Sequence, residues 1–171
     1  MTTGAVEPPL APDELVSARG EREVLEAFLD MYREIIKRKL TGLADAELRQ
    51  RLVPSRTTLA GLVRHLTAVE QEWFQLVLAR RPAAEVGARP DDWAIGAGDT
   101  APSMIAEYER ACEASREVAA GFGLDDAAPH PRLGQVSLRW VYVHLIEETA
   151  RHAGHADILR EQTDGATGFD G

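Results

Sequence analysis

Lysine is almost missing from this chain: Lys37 and Lys39 stand beside seventeen arginines. Acidic residues outnumber basic ones by 28 to 19, for a formal charge of −9. Gripping nucleic acid or anionic lipid through phosphates needs clustered positive charge, so neither partner is expected. Cysteine is equally scarce. Cys112, the single one, forms no internal disulfide and suits a reducing cytosol. The opening MTTGAVEPPLAPDELVSARGE lacks the apolar core of a secretory signal. No run reaches the roughly 18 apolar residues of a membrane-spanning helix. A cytoplasmic protein is the expectation. Nothing alternates as a strand, and internal repeats and low-complexity tracts are absent.

What is present is helical periodicity. The 171 residues, 44 % of them hydrophobic, suffice for one domain with a real core. From Gly20 to Leu40, the residues Val24, Leu25, Phe28, Leu29, Tyr32, Ile35 and Ile36 recur at three and four, as one helix face requires. Ser55 precedes a second helix striped by Leu59, Leu62, Leu66, Val69, Trp73 and Leu76, which Pro82 ends. Residues 81–100 read as a long loop around Trp93, the kind that often covers a site. Asp99 or Thr100 caps a third helix, with Pro102 in its first turn and Ile105, Tyr108, Cys112, Ser115, Ala119 and Phe122 along one side. GFGLDDAAPHPRLGQ is a connector, and Ser137 caps a fourth helix running to about Glu161. Four one-sided stripes predict an all-α four-helix bundle. Residues 1–19 form an N-terminal arm, 20–165 the bundle domain and 166–171 a C-terminal tail.

The fourth helix carries HLIEETARHAGHADILRE, with ionisable residues on its apolar arc. With His144 at zero, Val141, Leu145, Ala156 and Leu159 fall between about 60° and 120°. Glu148 lies near ~40°, His152 near ~80° and His155 near ~20° on the same count. A buried carboxylate needs a partner. Arg151 is three residues on, but an ordinary pair with Glu147 makes it less available. A divalent cation is the alternative, because Glu148 and His152 at i,i+4 reach one point beside the helix. His65, the sole histidine of the second helix, borders that helix's arc and completes a two-histidine, one-carboxylate set. Three protein ligands leave a coordination position open, as catalytic zinc sites do.

LVRHLTAVEQEWF, followed downstream by SLRWVYVHLIEETARHAGHADILRE, resembles the DinB/YfiT-like superfamily of metal-binding four-helix bundles. Within it the chain is most similar to the DUF664 branch and to the N-terminal domain of mycothiol-dependent maleylpyruvate isomerase. The resemblance implies helices running up-down-down-up, and it sets His65, Glu148 and His152 on the metal-ligand positions. The superfamily's usual first histidine of the fourth-helix pair is replaced by Glu148, a departure shared with the isomerase branch. Characterised members use mycothiol, bacillithiol or glutathione in transferase and isomerase reactions. Family habit also suggests a homodimer.

Two neutral imidazoles and one carboxylate leave a bound Zn²⁺ with a local charge near +1, which favours an anionic guest. The leading expectation is metal activation of a low-molecular-weight thiol for attack on a small electrophile. Arginine over lysine, with much Ala, Gly and Asp, suggests a GC-rich bacterial genome and hence mycothiol as that thiol. Nickel is the alternative metal. Hydrolysis with water in the open position, or a non-catalytic metal-binding bundle, are the other readings. His144 is a candidate general base, a fourth ligand or a plain core histidine. His155 is expected behind the ligands, with Asp157, Glu70 or a backbone carbonyl as outer acceptors. Trp93, Asp91, Asp92 and Asp99 read as loop packing, capping or a pocket rim, and His130 as a loop histidine. Trp73, Phe74, Trp140 and Cys112 read as core.

Overall fold

The computed structural model describes residues 10–88 and 91–168. The first part of the N-terminal arm, Arg89, Pro90 and the end of the tail lie outside the described residues. Four long helices organise the rest: α1 (Glu21–Arg38), α2 (Leu59–Glu70), α3 (Ala101–Ala120) and α4 (Leu138–Asp164). One-turn helices at Asp45–Leu48 and Ala83–Val86 interrupt the connections.

Capping residues set where the helices begin. Thr58, not Ser55, caps α2: its hydroxyl accepts from the Gly61 amide at 3.0 Å. Thr100 caps α3 and Ser137 caps α4 by the same bond to the third residue on. Asp45 adds a second acceptor at the start of α3, taking the Ala101 amide at 2.9 Å.

Beyond Glu70 the second helix widens into a π-helical stretch, Gln71–Leu78, closed by the Ala79 amide donating to the Phe74 carbonyl at 2.9 Å. A wider turn moves the buried stripe. Trp73, Phe74 and Leu78 are buried, whereas Leu76, expected in the stripe, is only half-buried. π-Helical turns are uncommon and concentrate near functional sites.

A β-hairpin replaces the connector expected before α4. Strand β1 (Ala127–His130) pairs antiparallel with β2 (Gly134–Ser137), Ala128 opposite Val136. Only these two side chains point into the core, so the alternation was too short to register as a strand. Pro129 is tolerated because a two-stranded hairpin leaves both strands at an edge. Gly134 turns the chain at φ 75°, a conformation open to glycine at little cost.

The core holds Leu29, Leu62, Leu66, Tyr108, Leu138 and Leu145, all nearly inaccessible, each aliphatic member worth about 1.5–3 kcal/mol. Between these layers lies a buried ion pair. Arg33 of α1 grips Glu70 of α2 through two bonds of 2.7 and 2.6 Å, with Glu70 0 % exposed. Arg22 at the start of α1 bonds the Ala119 and Phe122 carbonyls at the end of α3. Glu26 takes the Tyr142 hydroxyl near the start of α4, and Arg160 near its end bonds the Lys39 and Thr41 carbonyls.

Candidate functional site

The site forms where α2 faces α4. His65, one turn beyond Gly61, brings its Nε2 within 2.9 Å of Glu148 Oε1. His152, one turn after Glu148, brings its own Nε2 to 3.0 Å from the same oxygen. The two rings meet edge to face, 5.0 Å apart. One donor atom from each of the three residues fits within 4.8 Å, and theirs is the one such group among the described residues. Glu148 and His152 are buried, and His65 is half-buried.

Glu148 divides its two oxygens. Arg151, which also contacts Glu147 at 3.3 Å, pairs with Oε2. The expectation that the pair with Glu147 makes Arg151 less available to Glu148 is corrected: the long guanidinium reaches both. Burial pushes the Glu148 carboxyl up, but hydrogen bonds from His65 and Arg151 and nearby positive charge outweigh it and hold the group at about 2. Burial pushes the His152 imidazole down, and the attraction of Glu148 offsets this only in part. Both directions favour the forms that ligate a cation, a carboxylate anion and a neutral ring.

The loop between α2 and α3 supplies contacts that sequence reasoning left open between loop packing, capping and a pocket rim. Asp92 Oδ2 lies 2.7 Å from His65 Nδ1, so the outer nitrogen of that ring has a fixed acceptor. Trp93 stacks on His65 with centroids 4.8 Å apart and planes 16° off parallel, and its edge approaches His152 at 6.2 Å. The indole also lies against α2 where a glycine makes room. A Cβ on Gly61 would sit 3.1 Å from Trp93 Cε3 and 3.1 Å from Thr58 Oγ1. Ion pairs tie the loop down on either side: Arg56 with Asp91 at 2.8 Å, and Arg64 with Asp99 at 2.6 Å. Arg49 adds bonds to the Gly96 and Asp99 carbonyls. Asp92 and Trp93 are thus parts of the site rather than plain loop packing.

The outer acceptors expected from sequence are engaged elsewhere. Glu70 belongs to Arg33, and Asp157 pairs with the buried Lys39 at 2.8 Å. His155, exposed at the edge of the site, brings its Nδ1 to 3.3 Å from His152 Nδ1.

His144 falls outside the gathered three. Its ring stacks on Trp140 at 4.9 Å and meets Trp73 edge-on at 4.8 Å, while His130 stacks on the same Trp73 at 5.3 Å. His130 is therefore more than a loop residue: its Nδ1 also accepts the Arg132 and Leu133 amides that close the hairpin turn. Trp140 is 41 % exposed and caps this aromatic pile rather than lying in the core. Cys112 is buried, as expected, and burial pushes its thiol well above the range of a reactive cysteine.

No helix among the described residues is long and apolar enough to cross a membrane. None of the curated proteins matches the chain. A family model described as Mycothiol-S-transferase matches residues 24–165, which includes all three gathered side chains and the loop that covers them. The chain belongs to this mycothiol S-transferase family, a DinB-like one, in keeping with the resemblance carried by its second and fourth helices.

Proposed function

We propose that the protein is a metal-dependent enzyme that activates a low-molecular-weight thiol, mycothiol, for transfer to or isomerisation of a small electrophile. One observation carries the reading. Two imidazole Nε2 atoms from separate helices converge on one oxygen of a buried carboxylate. The donor set suits zinc, with nickel as the alternative, because borderline ions accept mixed imidazole and carboxylate ligands.

In this reading His65, Glu148 and His152 hold the ion. When bound, it supplies Lewis acidity that lowers the pKa of a coordinating thiol. Asp92 keeps the hydrogen of His65 on Nδ1, so that Nε2 offers its lone pair. Trp93 shields one face of His65 from water. His144, one turn before Glu148 and held between two indoles, is our candidate general base for the thiol proton. The proposal includes a cytoplasmic setting, where such thiols stay reduced, a homodimer, and a catalytic domain spanning residues 20–165. It also includes the up-down-down-up order of a four-helix bundle. Supporting that order, the start of α1 meets the end of α3, and α1 and α4 share bonds at like ends.

Elemental analysis of the native protein and of His65→Ala, Glu148→Ala and His152→Ala tests the ligand set. We expect one metal per chain in the native protein and loss in each variant. Mass spectrometry with mycothiol and model electrophiles tests the chemistry. A metal-dependent conjugate supports transfer, whereas turnover without thiol would assign hydrolysis instead.

A further inference from the structure

The two ends of the site along α2 and α4 are unlike. Toward the start of α2, Trp93 stacks on His65 and covers it. Toward the start of α4, His144 and Trp140 precede Glu148 at one-turn intervals, and Trp73 of the second helix meets both rings. The centroids of Trp140 and His144, His144 and Trp73, and Trp73 and Trp140 stand 4.9, 4.8 and 5.0 Å apart, a nearly equilateral triangle. His144 lies against one face of Trp140, 19° off parallel, so Trp73 falls on that same side. The opposite face of the indole has no ring against it among the described residues, and Trp140 is 41 % exposed. A flat-faced guest laid there would take apolar surface out of water.

Distance and charge identify the guest. Trp140 is eight residues from Glu148, about 12 Å along the helix at ~1.5 Å per residue. A compact electrophile reacting at the sulfur stays beside the three gathered side chains, so only the far end of a long co-substrate reaches this indole. Mycothiol is such a molecule, a cysteine carried on two polyhydroxylated rings. The flanks of the shelf are acidic. Glu147 is exposed on α4, and Glu72, exposed next to Trp73, makes no hydrogen bond or ion pair among the described residues. Carboxylates accept from hydroxyls and repel anions, which suits a neutral polyol and disfavours an acidic guest.

We propose that the open face of Trp140 stacks a sugar ring of the thiol and so makes Trp140 a specificity-determining residue. The inference rests on the proposed function. The C–H face of the ring lies on the indole, and its hydroxyls donate to the acidic flanks. The cysteinyl arm then runs past His144 toward His65, Glu148 and His152. Trp140 takes no part in the bond-making step; it selects which thiol is held.

N-acetylglucosaminyl-inositol, which has both rings and no sulfur, is the probe for the zinc-loaded protein with isotope-labelled tryptophan. It should shift the Trp140 indole N–H resonance, identified by its loss in Trp140→Phe, and bind more weakly to Trp140→Ala. In turnover, Trp140→Ala is expected to lower the kcat/KM ratio for mycothiol over N-acetylcysteine by about tenfold, chiefly through KM. Trp140→Phe, which keeps a flat ring, should restore most of it. A disturbed His144 would slow both thiols alike, so an unchanged ratio would overturn the assignment, as would shifts confined to Trp73 or Trp93. A dimer that Trp140→Ala dissociates in sedimentation would make the indole a subunit contact and overturn it too. Probe binding at Trp140 without any thiol transfer would uphold the ring site and sink the transferase reading. Normal mycothiol turnover with no shift at Trp140 would do the reverse.

Discussion

Asp92 holds the outer nitrogen of His65 at 2.7 Å, and replacing it tests whether a loop carboxylate tunes the proposed metal ligand. Outer partners of metal-bound histidines are worth about 10–100-fold in affinity, or about 1.4–2.8 kcal/mol at 1.4 kcal/mol per tenfold. The Asp92 side chain is 39 % exposed, so solvent screens its charge and places it in the lower half of that range. Asp92→Ala should therefore weaken zinc by roughly 10–30-fold. Asp92→Asn keeps an oxygen that can accept the Nδ1 hydrogen and loses only the charge, so about threefold is expected. Competition against a chromophoric chelator at fixed pH reads both constants, with melting curves of the metal-free variants alongside. If Asp92→Ala binds zinc within about twofold of the native protein, Asp92 does not orient a ligand. If the metal-free variant also melts far below the native protein, the loss belongs to loop structure and the argument from orientation fails.

Arg33→Ala strands the fully buried Glu70 and should cost about 3–5 kcal/mol in urea denaturation; a loss under ~1 kcal/mol would mean that water reaches the carboxylate. Gly61→Ala gains helix propensity of about 1 kcal/mol but sets its Cβ 3.1 Å from both Trp93 and Thr58. Stability should barely change while Trp93 shifts off His65, read as red-shifted tryptophan emission against a Trp93→Phe control and as weaker zinc binding. Glu148, held at about 2, stays ionised in the folded metal-free protein below its unfolded value of about 4.3. The unfolded chain binds the extra proton in that window, so stability from Glu148 is full above about 4.3 and falls as pH drops toward about 2. Melting temperatures across this range should fall less steeply in Glu148→Gln than in the native protein.

The four long helices were legible because each buries one face, and a one-sided stripe survives in sequence whatever the neighbours are. Thr58 displaced Ser55 as the cap of α2 because the chain bends through residues 53–56 and enters the helix only after the extended Thr58. The π-helical turn was not legible, since a 3.6-residue stripe through Trp73 and Leu76 looks sound until the backbone widens. The hairpin was hidden by its brevity and by Pro129.

The site split along the same line. His65, Glu148 and His152 were readable from helix geometry, where spacing fixes direction. Asp92 and Trp93 sit on a loop, and no periodicity says where a loop folds back. Gly61 was the one local signal: a glycine inside a strong helix stripe costs about 1 kcal/mol and marks a close approach. The approaching group is Trp93, and Asp92 arrives with it.

Glu148 posed a choice between two partners, the arginine one turn along or a cation shared with histidines. The arrangement makes the choice unnecessary. Arg151 neutralises one oxygen from the rim, where its side chain is 49 % exposed. The other oxygen stays inside and faces two imidazoles. An arginine alone would suffice to keep a buried carboxylate ionised, and it would not require two rings to aim the same nitrogen at the free oxygen. A cation would use that aim, and each ring has a polar neighbour at its outer nitrogen: Asp92 for His65 and His155 for His152. The outer contacts of the two rings add to the inner three as support for the proposed metal site, because an acceptor on Nδ1 leaves Nε2 free to offer its lone pair.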